Sequence, residues 1–311
     1  MNVLITGGMG FIGLHTARAF LDDGHEVVAT QFRVRREPSF VRDALGERLR
    51  RIVVDISSPY ALDEIVEENG IDQILHLAVP GVGALSPAED YRTNMDGLLH
   101  VLETARRHRV RRVVVASSVV VYNGVRGPWP ENAPLHVESP NATSAYKKAG
   151  EVLGAHYADR SGLDVVFARI SYVYGPLYHS MVNAPSRLVH AAVRGAPGDG
   201  RGDPYADDWY DYCYVKDCAQ ALRLLQLAPL SGRFYNIGGG RATSNRELAD
   251  AVRAAIPGSE PRLAEGRCAG ADGADGYLEL ELMTRETGYR PHYDVRSGVA
   301  EYASWLRDNE H

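Results

Sequence analysis

The first thirteen residues, MNVLITGGMGFIG, constrain the fold more than any other stretch of the chain. Asn2 to Thr6 is a short apolar run of the type that forms a strand buried on both faces. Gly7, Gly10 and Gly13 follow it at intervals of three, ahead of a helical pattern over His15 to Asp23. A strand, a tight glycine turn and a helix start are therefore expected in immediate succession. Glycine is needed there for steric reasons: the turn uses open backbone angles, a pyrophosphate must approach bare amides, and the helix must lie tightly on the strand. The helix N-terminus then offers unpaired N–H groups and the positive end of its dipole to the phosphates. An ordinary glycine-rich turn is the plain alternative, but a position directly behind a buried strand favours a dinucleotide site.

The pattern repeats along the chain. Gly24 to Thr30 reads as a second strand, Arg51 to Ile56 as a third ending near Asp55, and Ile71 to Val79 as a fourth that runs into a small-residue turn beneath the cofactor phosphates. Asn94 to Arg109 carries a helical apolar stripe, and its closing cluster Arg106 to Arg112 is expected from the helix dipole rather than from nucleic-acid binding. Val113 to Ser118 is a fifth strand that delivers Ser117 and Ser118 to the edge where open α/β sheets bind ligands. A helix over Thr143 to Arg160 and a sixth strand over Val165 to Arg169 follow. The alternation implies an α/β fold with a Rossmann-type doubly wound parallel sheet. A dinucleotide-binding domain is expected over residues 1–176. Residues 177–311 read mainly as a smaller, irregular C-terminal substrate lobe, with segments near 212–240 returning to the sheet. Ser244 is expected to cap a helix running to Ala255, and Gly266 to Gly276 has the composition of a mobile linker.

The end of the second strand is where such folds commonly carry an acidic residue for the adenosine ribose. Gln31 stands there, followed by Arg33, Arg35 and Arg36. A carboxylate would repel a 2′-phosphate, whereas an amide with guanidinium groups behind it would accept one, so NADP is expected over NAD. An arginine-rich surface loop is the competing reading. Asp55 and the amide of Ile56 are placed to meet an adenine ring.

With a formal charge of −6, the chain shows no global attraction to nucleic acid or anionic membrane. Cys213, Cys218 and Cys268 show no metal-ligand spacing, so no metal is expected. With no apolar run of bilayer-spanning length and no evident leader ahead of the first strand, a cytoplasmic location is expected.

Ordered landmarks extend over essentially the whole chain: TGGMGFIG from Thr6, DI at Asp55, HLA at His76, Asn94, SSVVVY from Ser117, RISYVYGP from Arg169, YVKD at Tyr214, NIGGG at Asn236 and TGYRP at Thr287. Together they resemble the extended short-chain dehydrogenase/reductase family, especially its NAD(P)-dependent nucleotide-sugar epimerases and dehydratases such as UDP-galactose 4-epimerase. The resemblance implies cofactor contacts at Gly7, Gly10, Phe11, Ile12 and Gly13, and at Gln31, Arg33, Arg36, Asp55 and Ile56. Further contacts are implied at Leu77, Ala78, Val79, Asn94, Lys147, Tyr172 and Val173. It also implies hydride transfer at a hydroxyl-bearing carbon of a sugar or nucleotide sugar. In that chemistry a tyrosine takes the hydroxyl proton, a lysine four residues on binds the nicotinamide ribose, and a serine, here Ser118, orients the reacting oxygen. Ser117, Ser118, Tyr172 and Tyr210 are the implied substrate contacts.

The catalytic motif departs from that pattern. Matching the lysine and a downstream glutamate to Lys147 and Glu151 puts Thr143 where the tyrosine belongs. An aliphatic hydroxyl is a far weaker acid than a phenol, so Thr143 is suited to relaying a proton or orienting substrate, not to being the base. Tyr146, one helical turn away, is the nearest replacement, with Tyr122, Tyr172, Tyr174 and His179 as weaker ones. The asparagine that commonly contacts the substrate diphosphate is Tyr172, and the arginine before Asp211 is Tyr210. Acidic Asp199, Asp203, Asp207 and Asp208 lie just upstream, where Arg201 or Arg267 would have to compensate them. Sugar 4,6-dehydratases resemble this pattern with acidic residues after the serine, whereas Val119 and Val120 stand there.

Two other functions stay open: an NADP-dependent reductase or dehydrogenase of a non-nucleotide small molecule, and a catalytically silent dinucleotide-binding protein. Relatives of this type commonly pair through two helices. A homodimer is accordingly expected through 94–108 and 143–160, with Leu98, Leu102, Val152 and Leu153 on the pairing face.

Overall fold

The computed structural model describes residues 1–32, 36–79, 85–196, 202–269 and 276–309. The first half of the chain runs through β1 (Asn2–Thr6), α1 (Phe11–Asp22), β2 (Glu26–Gln31), β3 (Leu49–Val53), α2 (Asp63–Glu68) and β4 (Gln73–His76). It continues through α3 (Pro87–Tyr91), α4 (Gly97–Arg107), β5 (Arg112–Ser118), α5 (Ala142–Ser161) and β6 (Val165–Ile170). The second half contains β7 (Tyr172–Tyr174), α6 (Ala184–Arg194), β8 (Trp209–Tyr210), β9 (Tyr212–Tyr214), α7 (Val215–Leu227), β10 (Phe234–Ile237), β11 (Thr243–Ser244), α8 (Asn245–Ala255), α9 (Glu281–Thr287) and α10 (Val295–Asp308).

Seven strands form one parallel sheet in the order β10-β6-β5-β4-β1-β2-β3. The order reverses between β1 and β4, and the crevice at that point is the usual ligand site of a doubly wound sheet. Alternation along β1 shows why its apolar run is unbroken. Val3 and Ile5 join α1 and α7 in one core, while Leu4 joins α4 and the Phe167 region on the opposite face. A further core of Tyr174, Leu188, Leu248, Val299 and Tyr302 unites β7, α6, α8 and α10. Beside it are two small sheets, β7 paired with β9 and β8 with β11. Among the described residues no helix is long and apolar enough to cross a membrane.

Several boundaries differ from the sequence expectation. The first helix begins at Phe11 instead of His15, so Gly13 lies inside it. Leu49, wholly buried, extends β3 at its start, and the strand ends at Val53, leaving Asp55 beyond it. A π-helical turn over Arg92–Asp96 precedes α4, so Asn94 falls in that turn rather than in α4. Leu98 and Leu102 were expected on an outer pairing face but are buried; Leu99, Val152 and Leu153 are the exposed apolar residues of that region. Ser244 caps α8 as expected, in a capping box with Glu247.

Candidate active site

A cleft of about 1470 Å³ lies over the C-terminal ends of the sheet strands and extends to α6 and β8. Its floor begins at the glycine turn. Gly7 has φ +67°, and a Cβ there would lie 2.9 Å from the Ala78 backbone; one on Gly13 would lie 2.6 Å from the Gly7 carbonyl oxygen. Any side chain at either position would force the turn, β4 and α1 apart. Thr6 braces the floor: its Oγ1 is 2.7 Å from His76 Nδ1 and accepts the Ala78 amide at 3.3 Å. Burial lowers the His76 pKa to about 3, leaving the ring neutral in this contact. Gly10 caps α1 without a side-chain hydrogen bond, so the first-turn amides face the cleft undiverted.

Gln31, at the end of β2, and Arg36 line the same cleft. Among the described residues Gln31 Oε1 is buried without a hydrogen-bond partner, an acceptor suited to a ribose hydroxyl. Asp55 accepts the Ser57 amide at 2.9 Å and the Ser57 hydroxyl at 2.7 Å, both through Oδ1. The glycine cradle and the orphaned Gln31 oxygen fit an adenine dinucleotide.

Farther along the cleft, α5 and β5 bring Ser117, Ser118, Thr143 and Lys147 to one wall. Asn141 starts α5 by accepting the Ser144 amide at 2.9 Å, which orients the first turn carrying Thr143. Lys147 reaches inward, and its Nζ donates to the Ala116 carbonyl at 2.5 Å. Burial lowers its pKa to about 8, against the opposing pull of the Glu151 carboxylate. Glu151 accepts Ser117 Oγ at 2.5 Å and is gripped by Arg169 at 2.7 and 2.9 Å. This buried pair fixes the end of β5 behind that wall.

The far end is lined by Tyr172, Tyr205, Asp208, Tyr210 and Tyr212. Burial pushes the phenols of Tyr172 and Tyr210 up, and nearby Asp208 adds to the rise at Tyr210. Neither is poised as a base at neutral pH. Tyr122 receives a hydrogen bond from Arg169 at 2.8 Å and donates to Asn236 at 2.9 Å, while Tyr174 packs within the core of α6, α8 and α10.

Nearly all residues singled out in the sequence meet in this one cleft: Gly7, Gly10, Phe11, Ile12 and Gly13 at the turn, Gln31, Arg36, Asp55 and Ile56 beside it, and Leu77, Ala78 and Val79 at the end of β4. Tyr172, Val173 and Tyr210 join them beyond the reacting wall, and His179 also lines the cleft. Two do not line it. Tyr146 packs edge-on to Tyr91 with ring centroids 6.5 Å apart, and the Asn94 amide donates to the Asp90 carbonyl at 2.8 Å; both border a separate small hollow with Lys147. Arg33, like Arg35, Asp199 and Arg201, lies outside the described residues. Arg92, Arg187, Asn245 and Cys268 line the cleft without having been singled out, because the loops and helix that bring them there carry no motif.

The family model described as "NAD dependent epimerase/dehydratase family" matches residues 3–238. A dTDP-glucose 4,6-dehydratase of an Actinoplanes species is 29% identical over 328 aligned positions, covering 99% of this chain and 98% of that protein. The structure of a Thermotoga maritima UDP-glucose 4-epimerase with UDP-glucose superposes with a TM-score of 0.85 at 21% identity, covering 99% of each chain. MoeE5 in complex with UDP-glucuronic acid and NAD gives a TM-score of 0.83 at 29% identity, again covering 99% of each chain.

Proposed function

The chain belongs to the NAD dependent epimerase/dehydratase family, and from that premise we propose that it catalyses reversible hydride transfer at a hydroxyl-bearing carbon of a sugar or nucleotide sugar. The observation that carries this reading is the single cleft wall on which Ser118, Thr143 and Lys147 meet, next to the glycine turn. When bound, the nicotinamide dinucleotide supplies the hydride acceptor and donor. Ser118 orients the reacting hydroxyl. Thr143, exposed in the first turn of α5, passes the hydroxyl proton inward, and the amine of Lys147 receives it in its neutral form. With its pKa near 8, Lys147 has a share of neutral amine at physiological pH that an unperturbed lysine lacks. Val119 is buried and Val120 is apolar, so neither provides the acid that expulsion of water would require; epimerisation or simple oxidoreduction is the favoured outcome.

NADP is the proposed cofactor over NAD, because Arg36 brings a guanidinium to the cleft that Gln31 also lines, and a carboxylate in place of Gln31 would oppose a 2′-phosphate. A homodimer through α4 and α5 is proposed on the exposed Leu99, Val152 and Leu153, with light scattering at micromolar concentration as its test.

The deciding experiment is to denature the purified protein, identify any nucleotide released, and titrate the stripped protein with NAD(H) and NADP(H) before assaying nucleotide sugars. Stoichiometric retained cofactor supports internal recycling and epimerisation. Reversible binding to an empty protein supports a reductase of a non-nucleotide molecule, a second reading favoured by Tyr172 and Tyr210 in the substrate end. Failure to bind either dinucleotide overturns both.

A further inference from the structure

The substrate end of the cleft holds a carboxylate for which the proposed chemistry has no use. Asp208 is only 4% exposed, yet it borders the cleft. Its partners among the described residues are the Cys268 amide, 3.1 Å from Oδ1, and the Tyr210 hydroxyl, 3.5 Å from Oδ2 and at the limit of a hydrogen bond. Neither carries positive charge. Among the described residues, Arg262 pairs with Asp203 at 3.4 Å, Arg246 pairs with Asp207 at 3.0 Å, and Arg187 donates to the Gly202 carbonyl; none of them pairs with Asp208. Arg267 is exposed and does not line the cleft.

Tyr210, whose hydroxyl reaches this carboxylate, is the middle member of three packed rings that line the same end of the cleft. Tyr172 and Tyr210 meet edge to face with centroids 5.0 Å apart, and Tyr210 and Tyr212 lie 5.6 Å apart. Tyr212 is fixed in place by its hydroxyl, which donates to Asn245 Oδ1 at 2.7 Å. A buried carboxylate is costly until a counter-charge reaches it, and aromatic faces attract cations. A neutral sugar hydroxyl can donate to Asp208 but leaves its charge uncompensated. An ammonium supplies both the donors and the charge.

We propose that this end of the cleft receives a protonated amine on the substrate, so that the substrate class is an amino sugar or an amine-bearing polyol. The proposal rests on the enzymatic reading of the same cleft and narrows it. Tyr172 and Tyr210 occupy the positions where the resemblance leads one to expect an asparagine and an arginine for a diphosphate, and exchanging those groups for rings beside a carboxylate reverses the charge preference of the subsite.

The test is isothermal titration with D-glucosamine and D-glucose below neutral pH, where the amine is protonated, on protein with and without bound dinucleotide. Glucosamine is expected to bind at least roughly tenfold more tightly than glucose. Asp208→Asn, which keeps an acceptor for the Cys268 amide, is expected to bring the two sugars to within about twofold while leaving dinucleotide affinity unchanged. Should that variant fail to fold, competition on the unmodified chain decides: methylammonium chloride displaces glucosamine and sodium chloride at equal concentration does not. Equal binding of the two sugars, discrimination that survives Asp208→Asn, or no effect of methylammonium would overturn the proposal. Absence of dinucleotide binding overturns the enzymatic reading instead, and the sugar preference is scored independently of it.

Discussion

Lys147 Nζ lies 2.5 Å from the Ala116 carbonyl oxygen, so α5 is tied to the end of β5 by the side chain that faces the reacting wall. Burial withdraws the amine from water, and that withdrawal is the cause of its lowered pKa. In the proposed reaction the proton-accepting role falls to Thr143 and to this amine, which is partly neutral at physiological pH.

If Lys147 is the terminal proton acceptor, kcat/KM rises with pH through about 8 and then levels. Lys147→Met is expected to remove that rise and weaken dinucleotide binding together. Lys148→Ala leaves both nearly intact, because Lys148 Nζ is held by the Glu138 carbonyl at 2.7 Å. The sign for stability is also fixed: between about 8 and the ordinary 10.5 the unfolded chain binds more protons at this lysine, so its contribution favours folding increasingly as pH rises. A flat pH–rate profile, or the reverse ranking of the two lysine variants, would contradict the assignment.

Arg36→Ala should weaken NADP(H) binding roughly tenfold and leave NAD(H) binding within about twofold, the loss expected when one charge-assisted contact to a phosphate is removed. Gln31→Asp should act in the same direction. Fluorescence titration of both cofactors on each variant checks this, and parallel losses for NAD(H) would show that Arg36 has no part in discrimination.

Arg169 and Glu151 are both buried, and Arg169 also stacks over Tyr122 and Phe234 at 5.0 and 4.8 Å. Glu151→Gln leaves that guanidinium without its counter-charge and is expected to cost about 3–5 kcal/mol in urea denaturation. Replacing both partners by apolar residues of similar volume should recover much of the loss, since the desolvation of both charges is then avoided. A double variant as unstable as the single one would show that the pair does more than cancel charge.

Burial lifts the Asp211 carboxyl to about 7, while the Gly239 and Leu278 amides, at 2.6 and 3.0 Å, pull it the other way. The folded chain therefore binds more protons than the unfolded one between about 4 and 7, and this residue's contribution to stability falls as pH rises through that window. Asp211→Asn is expected to flatten the slope of melting temperature against pH there. It should also cost about 1–3 kcal/mol, because an NH2 group would face one of the two amide donors. An unchanged slope would place the titration elsewhere.

Much of the dinucleotide end is legible in the sequence because its requirements are local. Gly7, Gly10 and Gly13 answer to backbone geometry within one turn, and the strand that precedes them is buried on both faces and so is apolar throughout. The position of Lys147 is legible for a related reason, since the helix start and Glu151 fix its register. The substrate end is not. Asp208 sits in an acidic stretch that reads equally well as a solvated loop, and only tertiary packing buries it and packs Tyr172, Tyr210 and Tyr212 together at the same end of the cleft. Tyr146 shows the converse: one position along the helix is enough to turn it to Tyr91 and away from the cleft.

The pairing of β10 with β6 sets a limit on how this chain can be divided. A fragment ending at Pro176 would keep the glycine turn and the reacting wall but would bare the hydrogen-bonding edge of Val165–Ile170, an invitation to association between copies. It would also lose α7, whose Leu222 and Leu225 roof the core above β1 and α1. The second half of the chain is thus stitched through the first, and neither can be cut out, exchanged or expressed by itself without unpicking the sheet.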